Sequence, residues 1–159
     1  MTIELYRQAV QLLEESDELG PLRFPVLSDD INALENRLGV PLPESYRAML
    51  EDFGIMMFLG ETIYGIGKSG FDTKGGSGVL FQTEVARKRG QITPTMVRIL
   101  SSGYGSEFCI ECAEMQPSGE APVYLVPADG DLDKVKKVAD SFGAFLLNEV
   151  QMNLKDTTV

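Results

Sequence analysis

Residues 37–50, RLGVPLPESYRAML, constrain this chain more than any other stretch. Apolar residues recur at helical spacing on both sides, yet Gly39, Pro41 and Pro43 interrupt them within five positions. A glycine can take the left-handed conformation that ends a helix, which lets Val40 fold back on Leu34. Pro41 forbids continuation. Pro43 suits the first turn of a following helix, where its missing N–H leaves nothing unpaired. The pattern predicts two helices turned sharply against each other, with Leu34, Leu38, Tyr46 and Leu50 sharing one core.

The flanks extend this reading. Residues 3–15 form a helical pattern with Tyr6, Ala9, Val10 and Leu13 on one stripe. Residues 19–24 read as a loop. Ser28 is placed to cap the second helix, with Asp29 and Asp30 in the turn where the helix dipole favours acids. Gly54 ends the third helix after Phe53.

Beyond Gly54 the texture changes. IMMFL, TIYGI, MVRILSS, EFCIEC and APVYLV are short, apolar or alternating, and bounded by Gly, Ser and Pro. They read as five strands, with SSGYGS as a turn that makes 96–101 and 107–112 an antiparallel hairpin. VLFQTEVARKRG reads as a helix closed by Gly90. Asp140 or Ser141 caps a last helix carrying Phe142, Phe145, Leu146, Glu149 and Val150. Helices, then strands, then a helix is α+β segregation. No repeat or linker divides the 159 residues, so one domain is expected over 1–159.

Composition removes several chemistries. There is no histidine, hence no Ser-His-Asp triad, no Cys-His pair and no histidine-rich metal site. The net charge is −10. The first 60 residues hold eleven acids against four bases, so −7, and the remaining 99 hold thirteen against ten, so −3. Such a field repels a nucleic-acid duplex, whose affinity comes from Lys and Arg. It serves solubility, or it steers a basic protein partner. The start of the chain, MTIELYRQAVQLLEES, lacks the basic and apolar blocks of a secretory signal. The longest apolar run, Ile55–Leu59, is far short of the roughly 20 residues of a membrane span. A cytosolic location is expected, away from membranes.

The motifs with chemical meaning are incomplete. Cys109-Ile110-Glu111-Cys112 is C-x-x-C, but on an alternating strand pattern an offset of three sends the thiols to opposite faces. A zinc site would need two further ligands of a kind the chain does not possess. GIGKSG (65–70) matches G-x-G-x-x-G, yet FDTKGGSG follows it where a pyrophosphate site needs a helix. Asp129, Asp131 and Asp133 alternate like a calcium loop, but Lys134 and Asp140 stand where it needs Gly and Glu. Arg87-Lys88-Arg89 reads as a complement to a helix dipole. No cofactor, metal or catalytic residue is expected, and none of these motifs argues for an enzyme.

Taken in order, Ile31, Leu34, Glu35, Leu38, Gly39, Val40, Pro41, Leu42, Pro43, Tyr46, Leu50, Phe53 and Gly54 follow a recognisable pattern. Tyr64-Gly65-Ile66, GYGSEFCIE at 103–111 and ADSFGAFLLNEV at 139–150 continue it. The chain resembles the SMI1/KNR4 family of the SUKH superfamily, though it lacks tryptophan and has Ser106 where an acid is frequent. The resemblance implies helices packed around a mixed, largely antiparallel sheet. It also implies a cytosolic immunity protein, without enzymatic activity, that binds and neutralises a toxin, often a nuclease with a basic active surface. The alternative it implies is a regulatory protein-interaction module with no toxin partner. Within that reading the motif residues are fold determinants. Glu35 is the polar exception, either exposed or anchoring a nearby backbone N–H. For the partner surface the sequence offers Glu107 and Glu111, four apart on one strand face and taken as exposed. It adds the loop acids Glu61, Asp72, Asp129 and Asp131, with Tyr64 and Tyr104 as anchors.

Overall fold

The structure, a computed structural model, describes residues 2–157. In chain order the elements are α1 (Thr2–Glu15), α2 (Ser28–Leu38), α3 (Glu44–Phe53), β1 (Met56–Phe58) and β2 (Glu61–Ile63). They continue with α4 (Val79–Lys88), β3 (Met96–Ser101), β4 (Glu107–Glu111), β5 (Val123–Val126), β6 (Lys136–Ala139) and α5 (Phe142–Thr157). The α+β arrangement read from the sequence is the one observed. Among the described residues, no helix is long and apolar enough to cross a membrane.

The strands form two sheets where one was expected. β1 and β2 pair as a short hairpin, and β3-β4-β5-β6 form a four-stranded sheet in sequence order. Every ladder is antiparallel. The expected mixed character survives only as an isolated parallel bridge between Gly65 and Gly78. Consecutive strands joined by short connections pair antiparallel; a parallel pair needs a crossover, and none of these connections supplies one. The hairpin at 96–111 is present, with Ser101 opposite Glu107. β6 is a sixth strand, absent from the five read from the sequence. KKVA has three exposed residues of four and no apolar alternation, as suits an edge strand protected by lysines.

One core joins the helices to the inner sheet face. Tyr6, Leu13, Ile31, Leu34, Tyr46, Leu50, Phe142 and Leu146 are fully buried in it. The Tyr46 ring meets the Phe142 ring edge-on, centroids 5.2 Å apart. A smaller cluster of Ala86, Ile92, Met96, Cys109 and Val126 lies apart from it. Cys112 belongs to the main core, so the two thiols do separate. Burial pushes both thiols up, Cys112 to about 12, which keeps them protonated and inert at neutral pH.

Helix ends follow the expectations with two shifts. Ser141 caps α5 by accepting the Ala144 N–H (3.0 Å). Ser28 is the first helical residue instead of the cap; Leu27 occupies the cap position and makes no side-chain bond. Pro43 likewise stands just before α3, at its cap, with Glu44 as the first helical residue. Gly65 has a separate reason to be glycine. A Cβ there would overlap the Gly54 carbonyl oxygen, to which the Ile66 N–H donates (3.0 Å).

Candidate interaction surface

The joint at 39–45 is a polar knot under an apolar roof. Gly39 has φ +77° and its N–H returns to the Glu35 carbonyl (2.8 Å), closing α2. Val40 and Leu42 are buried. The Glu35 carboxylate accepts the Leu42 N–H (2.6 Å) and a guanidinium N–H of Arg47 (2.7 Å). Of its two sequence readings, the anchor for a backbone N–H is correct. Tyr46 donates to the Tyr64 carbonyl (2.5 Å), tying α3 to the end of β2. Val40, Leu42 and Tyr46 face inward, while Glu35 and Arg47 are half-buried at the edge of the joint, so this motif mainly builds the fold.

A second carboxylate, this one buried, completes the knot, and sequence reasoning missed it. Glu120 is 1% exposed and accepts both the Ser45 N–H (2.8 Å) and the Ser45 hydroxyl (2.7 Å). Ser45 in turn accepts the Gly143 N–H (3.1 Å). One carboxylate thereby serves the N-terminal turn of α3 and, through Ser45, that of α5, where the helix dipoles favour negative charge. Glu120 stands in QPSGEAP, which reads as loop, and nothing local marks the acid as buried.

Glu107 and Glu111 are not the exposed pair that their spacing suggested. They are 6% and 8% exposed. Glu107 accepts Arg98 Nε (2.6 Å), while Arg98 Nη1 donates to Gln82 on α4 (2.7 Å) and its guanidinium lies 5.4 Å from the Tyr64 ring centre. Burial pushes the Glu107 carboxyl up, and Arg98 holds the rise down. Glu111 turns onto its own chain and accepts the Ala113 N–H (3.0 Å), capping a 3₁₀ turn. The period-2 reading put both acids on one face correctly. It could not tell that α4 and the following turn cover that face.

The remaining candidates fall into three places. Tyr104, 93% exposed, crowns the β3–β4 hairpin. Gln91 Nε2 donates to the carbonyls of Gly105 (3.4 Å) and Pro127 (3.3 Å), bringing the hairpin tip beside the loop of Asp129 and Asp131. Those two acids accept the N–H groups of Asp131 and Asp133 (3.0 Å each) and so stiffen their own loop. Asp72 lies elsewhere, against Arg37 (3.1 Å), at a cleft that α2 and α4 form with the glycine loop. Glu61 is half-buried near Glu149 of α5, and burial pushes both carboxyls up. Tyr64 belongs to the Arg98 cluster. Of the eight, the structure gathers only Tyr104, Asp129 and Asp131 at an accessible site.

Arg87 and Lys88 lie in the last turn of α4, as a complement to its dipole requires, and Arg87 also serves the end of a second helix. It donates to the Leu38 carbonyl at the end of α2 (2.7 Å) and to Met96 (3.1 Å).

The model of the SMI1 / KNR4 family (SUKH-1) matches residues 25–148. The chain belongs to this family. The matched span opens at the segment before α2 and closes inside α5, so it contains the joint, both sheets and Glu120. α1 lies outside it, yet supplies Tyr6, Ala9 and Leu13 to the core. A comparison with curated proteins finds no match. Members of the SMI1/KNR4 family are associated with protein–protein interaction, which directs attention to surfaces and away from clefts.

Proposed function

We propose that this SMI1/KNR4 protein is a cytosolic immunity protein that binds a cognate toxin, a basic nuclease domain, and blocks its substrate surface. The observation that carries the reading is family membership joined to a net charge of −10. A nuclease presents cations to phosphate, and an acidic protein competes for the same cations. Occlusion requires no bond-making step, so the chain acts without a catalytic residue. Tyr104, Asp129 and Asp131 offer one contact: an aromatic anchor on a rigid turn, with acids at its rim.

The test is co-expression. The C-terminal domain of a large secreted protein encoded beside this chain is produced in a susceptible cell, with and without the chain. Rescue of growth together with co-purification supports immunity. Co-purification without rescue favours the regulatory-module reading, and toxicity with neither outcome removes the pairing. Charge steering adds a kinetic signature: rising salt slows association more than it speeds dissociation.

A further inference from the structure

Apolar surface and negative charge coincide on the connection between α1 and α2. Residues 21–27, PLRFPVL, cross the end of α3 and the start of β1. The Gly20, Phe24 and Val26 N–H groups donate to the carbonyls of Met57 (2.8 Å), Phe53 (2.8 Å) and Leu50 (3.2 Å). Pro21 and Pro25 restrict the rest. The segment is thus a preformed ridge, and a partner that lands on it immobilises little new chain. Leu22 is 55% exposed and Leu27 76%.

Beside the ridge runs a groove of about 290 Å³, lined by Phe24, Pro25, Val26, Asp30, Ile66 and Lys68. Its floor is apolar, since Ile66 is buried and Phe24 and Val26 half-buried. Asp17 and Glu18 precede the segment in the chain, Asp29 and Asp30 follow it, and Glu51 and Asp52 stand next to Phe53 in α3, with Arg23 inside the segment and Lys68 on the groove as the bases. Arg23 is already engaged: its guanidinium lies 4.5 Å from the Phe53 ring centre and 3.9 Å from Glu14. Among the described residues, no cation pairs with Asp29 or Asp30. The hairpin end is nearly balanced by comparison. There Asp129, Asp131 and Asp133 stand with Lys134 and, across Gly90, Arg89.

We infer that the ridge is the main docking surface for a basic protein, and that the groove seats the stem of an arginine or lysine of that protein. The aliphatic stem lies on Phe24, Val26 and Ile66 while the charged head reaches Asp30. Lys68 at the rim is the one like charge the head would meet in the groove. This deepens the immunity reading by naming the face and the residue type it selects.

The experiment is an amide chemical-shift titration of the whole chain with a deca-arginine peptide at low salt. Shifts should centre on residues 22–30, 51–52 and 66–68. D29K/D30K should weaken binding about tenfold, and K68E should tighten it about threefold. Lysines in the first turn of α2 oppose its dipole, so D29N/D30N serves where the reversal unfolds the helix. Shifts centred on 102–106 and 127–133, or unchanged affinity in D29N/D30N and K68E, would overturn the inference. If the toxin complex forms and these variants bind it normally, the ridge is wrong and immunity stands. If rescue fails while the peptide still maps to the ridge, immunity is wrong and the ridge stands.

Discussion

Two glycine-marked turns in this protein have opposite characters. The joint at 39–45 reverses the chain between α2 and α3; the tip at 102–106 reverses it between β3 and β4. At the joint, backbone donors are satisfied by carboxylates brought from elsewhere: Glu35, seven residues from Leu42, and Glu120, 75 residues from Ser45. At the tip they are satisfied locally, by Ser101 Oγ to Gly103 (3.2 Å) and Ser102 Oγ to Tyr104 (3.1 Å). A turn held by distant groups is part of the core and costs stability when altered. A turn that closes on itself can carry an exposed side chain, because the fold does not depend on it.

Breaking the joint should therefore have the largest effect. Glu120→Ala leaves the Ser45 N–H and hydroxyl without their acceptor in a dry site, and should cost about 3 kcal/mol in urea unfolding. Glu120→Gln keeps one acceptor and should cost about half as much. A loss under about 1 kcal/mol for the alanine variant would erase the contrast between the turns. Glu35→Ala comes next, at about 2 kcal/mol, because the Leu42 N–H and Arg47 both lose a partner that is only partly shielded from water.

The hairpin root should show a smaller effect, read as a pH slope. Burial raises the Glu107 carboxyl above its usual 4.5, so the folded state holds that proton more tightly than the unfolded chain does. The contribution of Glu107 to stability is then greatest below 4.5 and falls as pH rises through the raised value. In Glu107→Gln the fall of stability from pH 4.5 upward should be shallower than in the parent, whatever the absolute level. Equal slopes in melts across that range would show that Arg98 cancels the effect of burial.

The tip should show the smallest effect. Tyr104→Ala should change stability by no more than about 0.5 kcal/mol, since the ring is 93% exposed. If the tip is a contact, the same variant should weaken toxin binding in calorimetry. A large loss of stability would mean that the tip is structural after all.

The site was less legible than the fold, and single residues show why. Leu34, Leu38, Tyr46 and Leu50 could be assigned to one core because helical periodicity is a local property. The same holds for Gly39 as a helix stop and Ser141 as a cap. Glu107 was misread as exposed because strand alternation says which side chains share a face, not what covers it. Glu120 gave no signal at all: its partners lie 75 positions away on another element. Leu22 sits in the stretch read only as loop and Leu27 just beyond it, and their exposure depends on how Phe24 and Val26 turn inward onto α3.

The helices, the hairpin, the α+β order, the family and the absence of histidine chemistry are all written in the order of residues. These rest on spacing and residue type within a few positions of each other. Which acids face water emerges only once the chain is packed. Burial is set by what packs on top of a residue, and here the covering elements come from distant parts of the chain. So the charge of −10, with −7 of it in the first 60 residues, was known at once, but which of those acids stay exposed beside the α1–α2 connection was not.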